Sequence, residues 1–286
     1  MTISKVSTLV TSAWLRQQIQ STVRNTASVT NNLRVLDSSW VPSPKVDGFK
    51  EFFQQGHIPT AVYFDLRTVN PPKYDASIRY PIPDSNVFED YVEELGISNH
   101  THVVVYDRLN SRSSFRTWFL FKLFGHSQVS VLNGGLKQWV AEGNQVTTET
   151  VEVEPGEFNA EFQPNLLRDR ESLIKNIETA TEQVIDARDT ESYKDGHIPG
   201  AKNIPFSSIF NEDGTVQAPS ELKQLFVKAG VDPRAPIISS CEAGLTACGI
   251  IVAAHILGQE NVPLYNGSFR EWEALAAPDM ITRSQS

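Results

Sequence analysis

The feature that most constrains this 286-residue chain is that it repeats itself once, at long period. Gly56-His57-Ile58-Pro59-Thr60-Ala61 returns 140 residues later as Gly196-His197-Ile198-Pro199-Gly200-Ala201. Ahead of each lies an apolar pair running into an aspartate, Val35-Leu36-Asp37 and Val184-Ile185-Asp186. Behind them, Asn133-Gly134-Gly135-Leu136-Lys137-Gln138-Trp139 matches Asn266-Gly267-Ser268-Phe269-Arg270-Glu271-Trp272, 133 residues apart. In between, Val103–Asp107 matches Ile237–Cys241. Four landmarks in one order, at slowly drifting spacing, indicate a duplicated domain; the period is too long for a solenoid. The sequence divides into a domain over 1–145, a linker over 146–165 and a second domain over 166–286. The stretch from Glu142 to Pro164 is rich in Glu and Thr, carries Pro155, Gly156 and Pro164, and lacks apolar periodicity, which marks an extended connection. Two domains also suit the length.

Short apolar runs alternate with helical patterns in each half. Val184–Ile185, Ile237–Ser239 and Val262–Tyr265 read as strands, and Leu222–Ala229, Ala247–Leu257 and Phe269–Leu275 as helices. The expected class is α/β, each half a parallel sheet flanked by helices. Ligands of such sheets sit beyond the carboxyl ends of the strands.

Composition removes several functions. With 34 Asp and Glu against 25 Lys and Arg the net charge is −9, so neither nucleic acid nor an anionic membrane is an expected partner. The longest apolar run, Gly249–Leu257, is broken by His255 and falls well short of the roughly 20 residues of a membrane span. Two cysteines, Cys241 and Cys248, make no disulfide framework and suit a reducing compartment. Scattered histidines predict no metal site, and His100-x-His102 reads as loop and strand edge. No phosphate-binding glycine loop or Schiff-base lysine is recognisable, so no cofactor is expected. The opening 36 residues are basic and Ser/Thr-rich, like a transit peptide in composition. Trp14, Leu15, Ile19 and Val23 have helical spacing, however, so the segment reads as a first helix of the fold. The cytoplasm is the expected location, with the mitochondrion as the alternative.

The chemistry concentrates in Ile237-Ile238-Ser239-Ser240-Cys241-Glu242-Ala243-Gly244-Leu245-Thr246-Ala247, which runs from a buried strand through a tight loop into a helix. Cys241 then stands at a strand's carboxyl end, before a helix N-terminus whose free N–H groups favour an anion. A cysteine with a free pKa of about 8.5 is activated in such a place. Gly244 supplies the turn's backbone freedom and Thr246 is the candidate cap. Cys248, inside the apolar helix, reads as core packing. His57, His197, Asp37 and Asp186 occur in both halves, including the one without a cysteine, and read as structural.

The order Asp, Gly-His-Ile-Pro-Gly-Ala, Cys-x-x-Gly-x-Thr-Ala, Asn-Gly-Ser-x-x-x-Trp in the second half, with its landmarks repeated in the first, covers nearly the whole chain and resembles the tandem-domain rhodanese family of thiosulfate and 3-mercaptopyruvate sulfurtransferases. That resemblance implies two tandem rhodanese-like domains, the first silent because Asp107 stands where the second has Cys241. It also implies a persulfide on Cys241, loaded from a small anionic sulfur donor and unloaded to cyanide, a thiol or a thioredoxin-like acceptor. Glu242, Ala243, Gly244, Leu245 and Thr246 would line the substrate. Relatives read Cys-Arg-Lys-Gly or Cys-Gly-Ser-Gly in this loop, whereas this chain has Cys241-Glu242-Ala243-Gly244. Where relatives tend to carry an Arg, this chain has Ser192. Arg188 either faces the pocket or pairs with a neighbour such as Asp189 or Glu191. Arg112 is expected to restore a positive charge for the donor, so Arg112→Ala should raise donor KM. Trp40 either lines the family's cleft or packs in the core. Rhodanese-like phosphatases need a longer loop ending in Arg, and Ala247 follows Thr246 here. A persulfide carrier or redox-sensing module with little turnover is the non-enzymatic alternative.

Overall fold

The computed structural model describes residues 6–24, 33–41, 43, 45–73 and 76–283. The first sheet holds β1 (Leu9–Val10), β2 (Leu33–Asp37), β3 (Val62–Tyr63), β4 (His102–Tyr106) and β5 (Val129–Leu132). The second holds β6 (Leu167–Arg168), β7 (Gln183–Asp186), β8 (Lys202–Asn203), β9 (Ile237–Ser240) and β10 (Leu264–Tyr265). Their strand orders are β1-β5-β4-β2-β3 and β6-β10-β9-β7-β8, the same topology twice. The pairings between these strands are all parallel, and Leu36 opposite Val105 has its counterpart in Ile185 opposite Ser239. The apolar runs are explained by burial on both faces: Val103, Val104, Val105 and Ile238 have no accessible surface. The strand expected over 262–265 is confined to Leu264–Tyr265, because Pro263 has no N–H for the ladder and only its carbonyl is used, by Ser239.

Helix Ser12–Arg24 forms where the spacing of Trp14, Leu15 and Ile19 places it, and Leu15 is completely buried. Helices Pro219–Lys228, Ala247–Ile256 and Ser268–Leu275 likewise fall where the sequence puts them. Val10, Leu15, Val35, Ile58, Val104 and Trp139 belong to one core cluster of the first half. Leu173, Val184, Ile198, Ile238, Phe269 and Trp272 form the matching cluster of the second.

By packing, residues 1–70, 83–162 and 212–215 form one unit, and 71–82, 163–211 and 216–286 the other. Each half of the sequence therefore contributes a short segment to the other half's unit. The stretch expected to be a linker has little regular structure but is fastened to the first unit. Thr147 pairs with His57, Gly156 N–H donates to the Glu93 carbonyl at 2.8 Å, and Asn159 N–H donates to Asn99 Oδ1 at 2.8 Å. His57 and His197 do the same structural work in both repeats. Each Nδ1 meets the carbonyl four residues back, Phe53 at 2.9 Å and Tyr193 at 2.8 Å, and each ring stacks on that residue's ring.

His100 is exposed, while His102 opens β4 with Nε2 2.9 Å from Ser130 Oγ. Burial lowers the pKa of His102, and likewise that of His126, to about 4. Above pH ~6.5 both are neutral, and both take up protons more readily unfolded, so the stability these two contribute is complete above pH ~6.5 and is lost as pH falls toward 4. In acid titrations followed by circular dichroism, His102→Gln, which keeps a donor for Ser130 but cannot titrate, should make that loss shallower.

Candidate active site

Strand β9 ends at Ser240, and Cys241 follows with 1% of its surface exposed. The chain then turns through Glu242–Thr246 into helix Ala247–Ile256. Two backbone bonds clamp the loop's first half: Phe269 N–H donates to the Cys241 carbonyl at 2.9 Å and Arg270 N–H to the Glu242 carbonyl at 3.0 Å. With those carbonyls held, the loop closes back on the thiol, and Gly244 N–H donates to Cys241 Sγ at 3.1 Å. Gly244 sits at φ +81, the left-handed region that glycine enters without strain. Thr246 occupies the N-cap position as expected, but its side chain makes no capping bond, because its backbone is already helical at φ −69, ψ −21.

Ser268 was not among the residues the sequence singled out, yet it joins this site. Cys241 N–H donates to its Oγ at 3.1 Å, and that hydroxyl donates to the Tyr265 carbonyl at 2.8 Å while lying 4.0 Å from Cys241 Sγ. The residue stands at φ +57, a conformation costly for a side-chain-bearing residue. Its counterpart Gly135 has φ +56. The difference between Asn-Gly-Gly and Asn-Gly-Ser was thus the readable signal: strain accepted where a hydroxyl is needed.

The first repeat shows what the equivalent loop holds there. Asp107 Oδ1 accepts from Leu109 N–H at 2.8 Å and Ser111 N–H at 2.9 Å. Its Oδ2 accepts from Ser114 N–H at 2.8 Å and Ser113 Oγ at 3.0 Å. Three backbone amides and a hydroxyl converge on a carboxylate attached where the second repeat attaches a thiol. The strand–loop–helix unit is an anion cradle, and in the first domain its own side chain occupies it.

The other named residues fall as follows. Glu242 is exposed, Ala243 is buried, and Leu245 and Thr246 are half-buried. Arg188 does form an ion pair, but its partner is Asp186 and neither Asp189 nor Glu191. Asp189 accepts from Ser192 N–H, at the start of helix Thr190–Asp195, and Glu191 meets Lys194. Arg188 Nη2 lies 2.6 Å from Asp186 Oδ2 and 2.6 Å from the Gly196 carbonyl, and its guanidinium sits 3.8 Å above the Phe269 ring. Its charge is satisfied inside the second unit. Arg188→Lys keeps the charge but loses the two-pronged bond and the stacking, so urea midpoints should report a loss of about 1–2 kcal/mol. Arg112 is exposed at the start of helix Arg112–Leu123 of the first unit, and Trp40 is buried. Cys248 is fully buried and donates to the Gly244 carbonyl at 3.4 Å. No group of His, Cys, Asp and Glu suited to a metal ion occurs among the described residues, and no helix among them is long and apolar enough to cross a membrane.

Comparison with known proteins agrees with this construction. The model of the rhodanese-like domain matches twice, over residues 25–142 and 169–275. Thiosulfate sulfurtransferase of Cricetulus griseus is 38% identical, the match spanning 95% of this chain and 93% of that protein. For 3-mercaptopyruvate sulfurtransferase of Mus musculus the identity is 32%, over 96% and 94%. Among solved structures, the 3-mercaptopyruvate sulfotransferase SseA of Escherichia coli superposes with a TM-score of 0.80 at 30% identity, covering 92% of this chain and 99% of that one. The sulfur transferase subunit of yeast mitochondrial complex I gives a TM-score of 0.81 at 26% identity, over 98% and 100%. The chain belongs to the rhodanese-like family, in the tandem-domain form shared with the thiosulfate and 3-mercaptopyruvate sulfurtransferases.

Proposed function

We propose that this protein is a sulfurtransferase that carries sulfane sulfur as a persulfide on Cys241, taken from thiosulfate or 3-mercaptopyruvate. The observation that carries this reading is the thiol at the end of β9, accepting from the Gly244 N–H at the strand end equivalent to the one where loop amides grip the Asp107 carboxylate in the first repeat. The Cys241 thiolate attacks the outer sulfur of thiosulfate, the S–S bond breaks, and sulfite leaves with the electron pair. With 3-mercaptopyruvate the C–S bond breaks instead, and the departing enolate takes the thiol proton to give pyruvate. Cyanide, a small thiol or a thioredoxin-like protein then attacks the outer persulfide sulfur and returns Cys241 to the thiolate. Thiolate and persulfide are both anions, so one set of preorganised amides serves the resting and the loaded enzyme. The paucity of cysteine suits a reducing compartment such as the cytoplasm, and the yeast mitochondrial neighbour makes the mitochondrion the alternative.

A carrier reading has its own support. Arg188 is committed to Asp186, and Glu242 stands exposed beside the nucleophile, an arrangement that disfavours a dianionic donor. Intact-protein mass after incubation with each donor tests both readings. A gain of one sulfur, removed by cyanide with sustained turnover, is the enzyme. A gain followed by a single stoichiometric release is the carrier, and no gain from either donor sinks both.

A further inference from the structure

Residues Pro71–Ile82 come from the silent half of the sequence but pack in the catalytic unit. Among the hydrogen bonds that fasten them there, two run to carbonyls of this strap from side chains in the loop and first helical turn after β10. Asn266 Nδ2 donates to the Tyr80 carbonyl at 2.9 Å, and Arg270 Nε donates to the Ala76 carbonyl at 3.2 Å. Tyr80 itself is 3% exposed, so its carbonyl is anchored by a buried ring. These same two loop residues adjoin the nucleophile. Arg270 N–H holds the Glu242 carbonyl, and Asn266 abuts Gly244 so closely that a Cβ placed there would lie 2.8 Å from the Asn266 carbonyl and 2.9 Å from its Oδ1. Because Nδ2 must face the Tyr80 carbonyl, the carboxamide oxygen is turned toward the loop.

We infer that Asn266 is a positioning residue for Cys241, and that the strap Ala76–Tyr80 is the silent half's contribution to the active site. Tyr80 orients the Asn266 carboxamide, Asn266 presses on Gly244, and Gly244 aims its N–H at the sulfur. The strap carbonyl, the Asn266 carboxamide and the Gly244 backbone adjoin in series, so a displacement at the strap moves the Gly244 N–H that donates to Sγ. An aspartate at 266 would set its carboxylate against the Tyr80 carbonyl and bring negative charge to a loop whose task is to hold an anion.

The inference rests on Cys241 being the nucleophile, but its test needs no sulfur donor. Alkylation of Cys241 by iodoacetamide, located by tandem mass spectrometry and followed against pH, reads how well the loop holds the thiolate. Asn266→Ala should move the midpoint upward by about one pH unit, roughly a tenfold slower reaction below it, and Asn266→Asp further. Tyr80→Ala should shift the midpoint alone and add nothing in the Asn266→Ala background, since both act through one contact. If Asn266→Asp does not accumulate folded, Asn266→Ser, too short to reach Tyr80, carries the same expectation. Wild-type pH profiles in the Asn266 variants, whatever their melting temperatures, overturn the inference, and so does full additivity with Tyr80→Ala. A shifted profile in a protein that takes up no sulfur would retain the positioning role and discard the sulfurtransferase reading.

Discussion

Cys241→Ser should abolish sulfur uptake. Intact mass after exposure to either donor should show no added sulfur, and turnover should fall by on the order of 10⁴-fold or more. A hydroxyl in that position keeps the loop's shape, since serine is nearly isosteric with cysteine, but it is not ionised near neutral pH and its oxygen cannot store sulfane sulfur. The buried Cys248 offers no substitute: it lies within helix Ala247–Ile256, and its S–H is directed at the Gly244 carbonyl. The matched Cys248→Ala variant should therefore still take up one sulfur. Persisting uptake in Cys241→Ser, or its loss only in Cys248→Ala, would move the chemistry to the second thiol.

Much of this was legible in the sequence because duplication makes the chain its own comparison. The two Gly-His-Ile-Pro turns predict equivalent structural histidines, and Phe53 and Tyr193 stack on them alike. Asp107 in place of Cys241 predicts a silent copy, and the structure adds how that carboxylate is satisfied. What escaped depends on contacts that no local pattern encodes. Arg188 was expected to face the pocket or to pair with a neighbour such as Asp189 or Glu191, yet the turn brings the guanidinium back onto Asp186, two residues before it. The strap at 71–82 carries no catalytic motif, and its membership of the second unit follows from long-range packing alone. Thr246 has the right residue type and place for a cap, but the helix is entered from an already helical conformation, which turns its hydroxyl from the task.

Gly244→Ala should damage the site almost as thoroughly while leaving the thiol in place. Position 244 requires φ +81, and the added methyl would meet the Asn266 carbonyl at 2.8 Å and Oδ1 at 2.9 Å. The left-handed conformation alone costs an alanine about 1–2 kcal/mol. The clash cannot be relieved cheaply, because Asn266 is tied to the Tyr80 carbonyl and leads directly into the strained Ser268. Relief must come from the loop, which withdraws the Gly244 N–H from Cys241 Sγ. Loss of one preorganised donor to a developing anion is worth about 10²–10³ in rate. The stability cost should stay local, near the figure for the left-handed conformation, since the loop lies at the end of the sheet and the core cluster of the second half does not include it. The expected result is a folded protein, its urea midpoint lowered by an amount worth about 1–2 kcal/mol, that loads sulfur slowly from either donor. A variant of parental activity would show that the Gly244 amide is not part of the anion cradle, and the shared geometry of the two repeats would then be architectural only.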